Sequence, residues 1–196
     1  MGKCGMSLGR RRPCKTSIGG LKKVYIGSFL PFKSREVIIT DLILTQIPEF
    51  NVYEFATLGD PSFEQTMRDD DGGKHYEQSI SFDLSYESFA INNELQSFLD
   101  KEWFMILEDK AGNKRVLGLF NGVTCSKLTY NTGGSKGEPN SITFEWEAME
   151  YDPAPFITGT LADVGIIIGD LGNYILTETG IEIGLESDGS GILLES

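Results

Sequence analysis

Over residues 141–150, Ile142, Phe144, Trp146 and Ala148 alternate strictly with polar Thr143, Glu145 and Glu147. Successive side chains of a strand point to opposite faces, so this run is built to bury one face of a β-sheet and wet the other. The same period returns where Ile80, Phe82, Leu84 and Tyr86 interleave with Ser81, Asp83 and Ser85. Further strands are expected at 23–26 and 36–39, on either side of Pro31, and at 50–57, where the alternation is imperfect. The runs 103–109 and 115–120 flank the short loop Lys110-Ala111-Gly112-Asn113-Lys114 and read as a hairpin; 123–130 follows. One segment keeps a helical period, with Ile91, Leu95, Phe98 and Leu99 at i, i+4, i+7 and i+8. It predicts a single amphipathic helix over 91–101 that packs on a sheet. The expected fold is therefore mainly β (α+β): a β-sandwich or barrel with one packing helix and a long β-hairpin.

Several function classes are disfavoured. A formal charge of −12 over 196 residues opposes loose wrapping of a nucleic acid. Cys4, Cys14 and Cys125 have neither an even count nor a C-x-x-C spacing, and His75 is the sole histidine, so disulfide, zinc and Ser-His-Asp chemistry lack their residues. The lysine-containing segment 9–17 lacks the glycine before Lys15 that a phosphate loop requires, and Met6 stands where a myristoylation signal needs Ser or Thr. No apolar run reaches a membrane span of about 18 residues, and the start is basic without an apolar core, so neither anchor nor secretory signal is expected. Asp69, Asp70 and Asp71 lack the further acids of a calcium loop. No catalytic residue, metal or cofactor is expected, and the chain reads as a non-enzyme.

Charge divides the chain into three. Residues 1–23 carry Lys3, Arg10, Arg11, Arg12, Lys15, Lys22 and Lys23 with no acid, a basic Gly-rich arm. Residues 156–196 carry seven acids and no Lys or Arg, an acidic β-prone tail. Between them 24–155 forms the body, with Pro153 and Pro155 as the expected boundary.

Asp71, Gly72 and Gly73 suit a tight turn, because Gly tolerates positive φ. Residues 49–71 and 74–89 then become the arms of one long hairpin. This ribbon holds Glu49, Glu54, Asp60, Glu64, Asp69, Asp70, Asp71, Glu77, Asp83 and Glu87 against only Arg68 and Lys74. Solvated charge is the ordinary reading of such a run. The sharper one is a ribbon that pairs with copies of itself and turns an acidic face to a shared space.

On these residues the chain resembles the tail tube proteins of tailed bacteriophages. Residues 63–82 look like the long hairpin that lines such tubes; 91–101 followed by 103–109 look like the family's helix and sandwich strands; 141–150 before Pro153-Ala154-Pro155-Phe156 is similar to the terminal strand. The resemblance covers roughly 20–155. It implies a ring-forming, hexameric structural protein of the virion tail, assembled in the host cytoplasm, whose stacked rings conduct genomic DNA without binding it. Other tail proteins are the implied partners. Glu64, Glu77 and Asp83 would face the lumen, and Asp69, Asp70, Asp71, Gly72 and Gly73 would form the hairpin tip between rings. A capsid or tail decoration or completion protein, and the tube of a bacterial contractile injection system, remain open alternatives.

Overall fold

The computed structural model describes residues 19–33, 36–70, 72–85, 98–134, 140–169, 174–176 and 182–184. The fold is mainly β. An eight-stranded sheet is built from β1 (Leu21–Ser28), β2 (Ile38–Thr40), β3 (Ile43–Gln46), β4 (Phe50–Phe55), β7 (Trp103–Asp109), β8 (Lys114–Leu117), β11 (Phe156–Ile157) and β12 (Ile166–Ile168), in the order β12-β4-β1-β7-β8-β11-β3-β2. A four-stranded antiparallel sheet, β5-β6-β10-β9, comprises β5 (Leu58–Asp70), β6 (Gly73–Ser85), β9 (Thr124–Asn131) and β10 (Ser141–Glu150). The short pair β13 (Tyr174–Leu176) and β14 (Glu182–Gly184) stands apart in pairing.

Two cores follow from the two faces of β1 and β7. Val24, Ile26, Met105 and Leu107 meet Ile80, Phe82, Ile142, Phe144 and Trp146 between the sheets. The even-numbered face read from sequence is thus the buried one. Phe82, Phe144 and Trp146 stack with ring centroids 5.8–6.4 Å apart, and Phe98 meets Trp146 edge-on at 5.6 Å. On the opposite face Tyr25, Phe104 and Ile106 bury Leu44, Phe50, Val52, Val116, Ile157, Leu161, Val164 and Ile166. The long sheet curls round this second core, and Ile47 N–H donates to Val164 O (3.0 Å) to draw its ends together. Because β7 is buried on both faces, its sequence is a continuous apolar run rather than an alternation.

Three expectations differ from the structure. Residues 49–57 do not begin the hairpin: β4 pairs with β1 and β12, because Phe50 and Val52 bury in the second core. The hairpin starts at Leu58, after which Gly59 (φ +67°) and Pro61 shift the register before Ser62. Strands β1 and β2 lie on either side of Pro31 as expected, and β2 pairs with β3. The chain does not leave the body at 153–155, since Ala154 is buried, Pro155 O accepts from Val116 N–H (3.0 Å), and 156–168 supplies β11, β12 and four core side chains. Strand β1 also starts inside the span read as the arm, at Leu21.

Residues 98–100 are helical and Phe98 is buried; the remainder of the expected helix, 91–97, lies outside the described residues, as do 1–18 and 86–89. No helix among the described residues is long and apolar enough to cross a membrane.

Candidate functional site

The four-stranded sheet has one buried face and one open face. Register places Ser62–Ser81–Glu145–Lys127 in one row of the open face, Glu64–Ser79–Glu147–Thr124 in the next, and Thr66–Glu77–Met149 beyond it. Asp83 lies beside Thr143 and Thr129 in the row on the other side. Glu64, Glu77 and Asp83 therefore share the open face, on strands held in place by the apolar residues between them.

Sequence reasoning left unassigned the second element of this face, which is the β9–β10 pair lying against β6. Glu145 and Glu147 bring two more carboxylates, and Lys127 and Arg68 are its two cations among the described residues. The signal was present in the odd parity of Glu145 and Glu147, but a strand's neighbour cannot be read from its own alternation. Lys127 Nζ lies 2.6 Å from Glu145 Oε1 and Arg68 Nε 3.0 Å from Glu77 Oε2. Glu64, Asp83 and Glu147 make no ion pair among the described residues, so they carry the surplus negative charge.

At the hairpin tip Asp70 Oδ1 accepts from Gly72 N–H (3.0 Å), closing the turn, and Gly73 takes φ +99°. His75 Nδ1 sits 3.8 Å from Asp70 Oδ2, and its Nε2 3.9 Å from Glu77 Oε1. Asp69 pairs in register with Lys74. Asp71 lies outside the described residues. The tip faces Asn121, Gly122, Met149 and Tyr151 across a cavity of about 490 Å³.

Where the hairpin roots in the sandwich, three long polar side chains of adjacent strands fasten the 118–122 loop and the 150–155 segment. Gln65 Oε1 accepts from Ala154 N–H (2.8 Å), and Gln78 Oε1 from Gly118 N–H (3.3 Å). Glu150 Oε1 accepts from Phe120 N–H (2.9 Å) and Asn121 N–H (3.0 Å). Gly118 is required here: its φ is +62°, and a Cβ would come within 2.5 Å of the Gly122 backbone. Burial pushes the Glu150 carboxyl above the usual carboxylate range, against the pull of those N–H groups, with Asp152 adding repulsion.

The open face combines hydroxyls and carboxylates, and Thr66 Oγ1 donates to Glu64 Oε1 at 3.4 Å. Among the described residues no group of three or more His, Cys, Asp or Glu is placed to hold a metal ion. Its chemistry is that of a hydrated surface with net negative charge, which repels a polyanion and offers it no fixed contact. No family model, no curated protein and no solved structure matches the chain.

Proposed function

We propose that this chain is a structural subunit of a bacteriophage tail tube, a non-enzyme that assembles with copies of itself into stacked hexameric rings through which DNA passes. It would be built in the host cytoplasm and reside in the virion tail beside other tail proteins. The observation that supports this reading best is that the four-stranded sheet ends in two edge strands, β5 and β9, on either side of one polar, net-acidic face.

An open edge is a template for strand pairing, and pairing β5 of one copy with β9 of the next is a heterologous contact that closes into a ring. Six copies would contribute twenty-four strands. At about 4.8 Å per strand the circumference is about 115 Å and the diameter about 37 Å before strand tilt widens it. Side chains on the inner wall then leave a bore that admits a DNA duplex. The apolar face of each sheet stays turned to its own sandwich, so the bore is lined by Glu64, Asp83, Glu147 and the hydroxyls between them.

Negative-stain electron microscopy of the purified chain tests the reading. Rings or tubes with an open centre are expected. Particles that stay monomeric at every concentration and salt tried would remove it.

A further inference from the structure

Beneath the first half of β5 the two sheets part over a cavity of about 730 Å³, with Leu21, Phe63 and Leu107 among its apolar walls. Arg115 enters it from β8. It pairs in register with the core residue Leu107, so its side chain points between the sheets. The guanidinium lies 4.0 Å from the centre of the Phe156 ring and makes no hydrogen bond or ion pair among the described residues. The two acids of the cavity are already engaged. Asp60 pairs with Lys110, and Asp109 accepts from the N–H groups of Ala111 and Asn113 and from Asn113 Nδ2. A half-buried guanidinium with five N–H donors is thus left in want of an acceptor. At the other edge of the same four-stranded sheet, Tyr130 of β9 pairs with Ile142, which is 1% exposed. Tyr130 therefore belongs to the core-facing row, yet it is 58% exposed, because no strand lies beyond β9 to cover it.

We propose that Tyr130 of one copy of this chain fills the cavity of the next, its ring against Phe63 and Leu107 and its hydroxyl accepting from Arg115. This contact presupposes the ring assembly proposed above and fixes its joint. The four strands alternate in direction, so β9 of one copy meets β5 of the next antiparallel, and the core-facing rows of the two sheets run on into one another. Within one sheet the row of Tyr130, Ile142 and Leu84 points at the start of β5, beside Leu58. A barrel tilt of about 35–45° slides neighbouring copies about four to six residues along their joint. Toward the hairpin tip, that slide carries Tyr130 to Pro61–Phe63, which line the cavity. A tyrosine suits the place, since its ring takes the apolar walls and its hydroxyl the polar end.

Nitration by tetranitromethane, mapped by peptide mass spectrometry, reads the contact. Tyr130 should be nitrated readily in the unassembled chain and about tenfold more slowly in rings. Y130A changes an exposed side chain, so the free chain should keep its Tm while the concentration for half assembly rises about tenfold. R115M keeps the stem that packs on Phe156; it should weaken assembly of the otherwise wild-type chain and add nothing further to Y130A. Rings in which Tyr130 is nitrated as fast as in the free chain overturn the contact and leave the tube reading standing. So do assembly of Y130A at the wild-type concentration and additive effects of Y130A and R115M. A chain that forms no rings removes the tube reading and this contact with it.

Discussion

Arg68 Nε lies 3.0 Å from Glu77 Oε2, joining the two strands of the hairpin across its open face. Glu77 is therefore a compensated charge, and a lysine in its place would stand beside a guanidinium. The same holds for Glu145 beside Lys127. The surplus negative charge of the surface lies on the acids with no such neighbour among the described residues.

Glu64 and Glu147 flank Ser79 in one row, and both are exposed. Charge reversal in E64K/E147K changes only water-facing ends, so folding and ring formation are expected to persist. The reversed wall should now hold DNA, with affinity that falls steeply as salt rises. Filter binding of assembled particles across a salt series measures it; E77K alone should bind less tightly than the double variant. Absence of any salt-sensitive binding by E64K/E147K would show that this row does not line a bore.

Proline separates assembly from folding only at a sheet edge. Ile80 is 2% exposed in β6, between β5 and β10, so I80P would break the core before it reported on rings. Thr129 and Tyr130 are exposed on the edge strand β9. Neighbouring N–H groups of a strand point to opposite sides, so one of T129P and Y130P removes an outward donor and the other an inward one. The first should keep a near-normal Tm and stop ring growth. Normal rings from both variants would exclude β9 as the joining edge.

Truncation distinguishes the two halves of the acidic segment. Ile157, Leu161, Val164 and Ile166 are core residues, whereas 170–196 contributes no residue to either core cluster among those described. A chain ending at Gly169 should melt within a few degrees of full length. A chain ending at Phe156 should not fold, since emptying each of four such sites costs about 2–5 kcal/mol against a total stability of about 5–15 kcal/mol. Thermal denaturation of the two truncations decides it, and a folded 1–156 would contradict the second core.

Which elements were legible in the sequence follows from how local their causes are. The alternation of Ile80–Phe82–Leu84 and of Ile142–Phe144–Trp146 marked both the strands and their buried face, and Gly72-Gly73 marked the turn. Phe50 and Val52 alternate just as a ribbon strand would; only the second core decides that β4 belongs with β1. Pro153 and Pro155 look like a linker, yet they mark the crossing from β10 to β11, where the chain passes from one sheet to the other. Gln65, Gln78 and Glu150 interrupt apolar faces, and their partners lie 29 to 89 residues away, beyond any local pattern.

Glu150 gives the last prediction. Burial raises its pKa, so over the pH interval between its unfolded and folded values the native chain holds a proton that the unfolded chain has released. Stability tied to this group is full below the usual carboxylate value of about 4.3 and declines as pH rises through the higher folded value. E150Q cannot ionise and retains an oxygen for Phe120 and Asn121, so its stability relative to wild type should grow as pH rises above the ordinary carboxylate value and level off above the folded one. E150A removes the acceptor and strands two N–H groups, at a cost of about 2–4 kcal/mol at every pH. Urea unfolding of the three proteins across that pH interval supplies the comparison. A wild-type-minus-E150Q difference that stays flat with pH would mean that Glu150 is ionised at no cost in the folded chain, and an E150A variant as stable as wild type would mean that its two backbone bonds hold nothing in place.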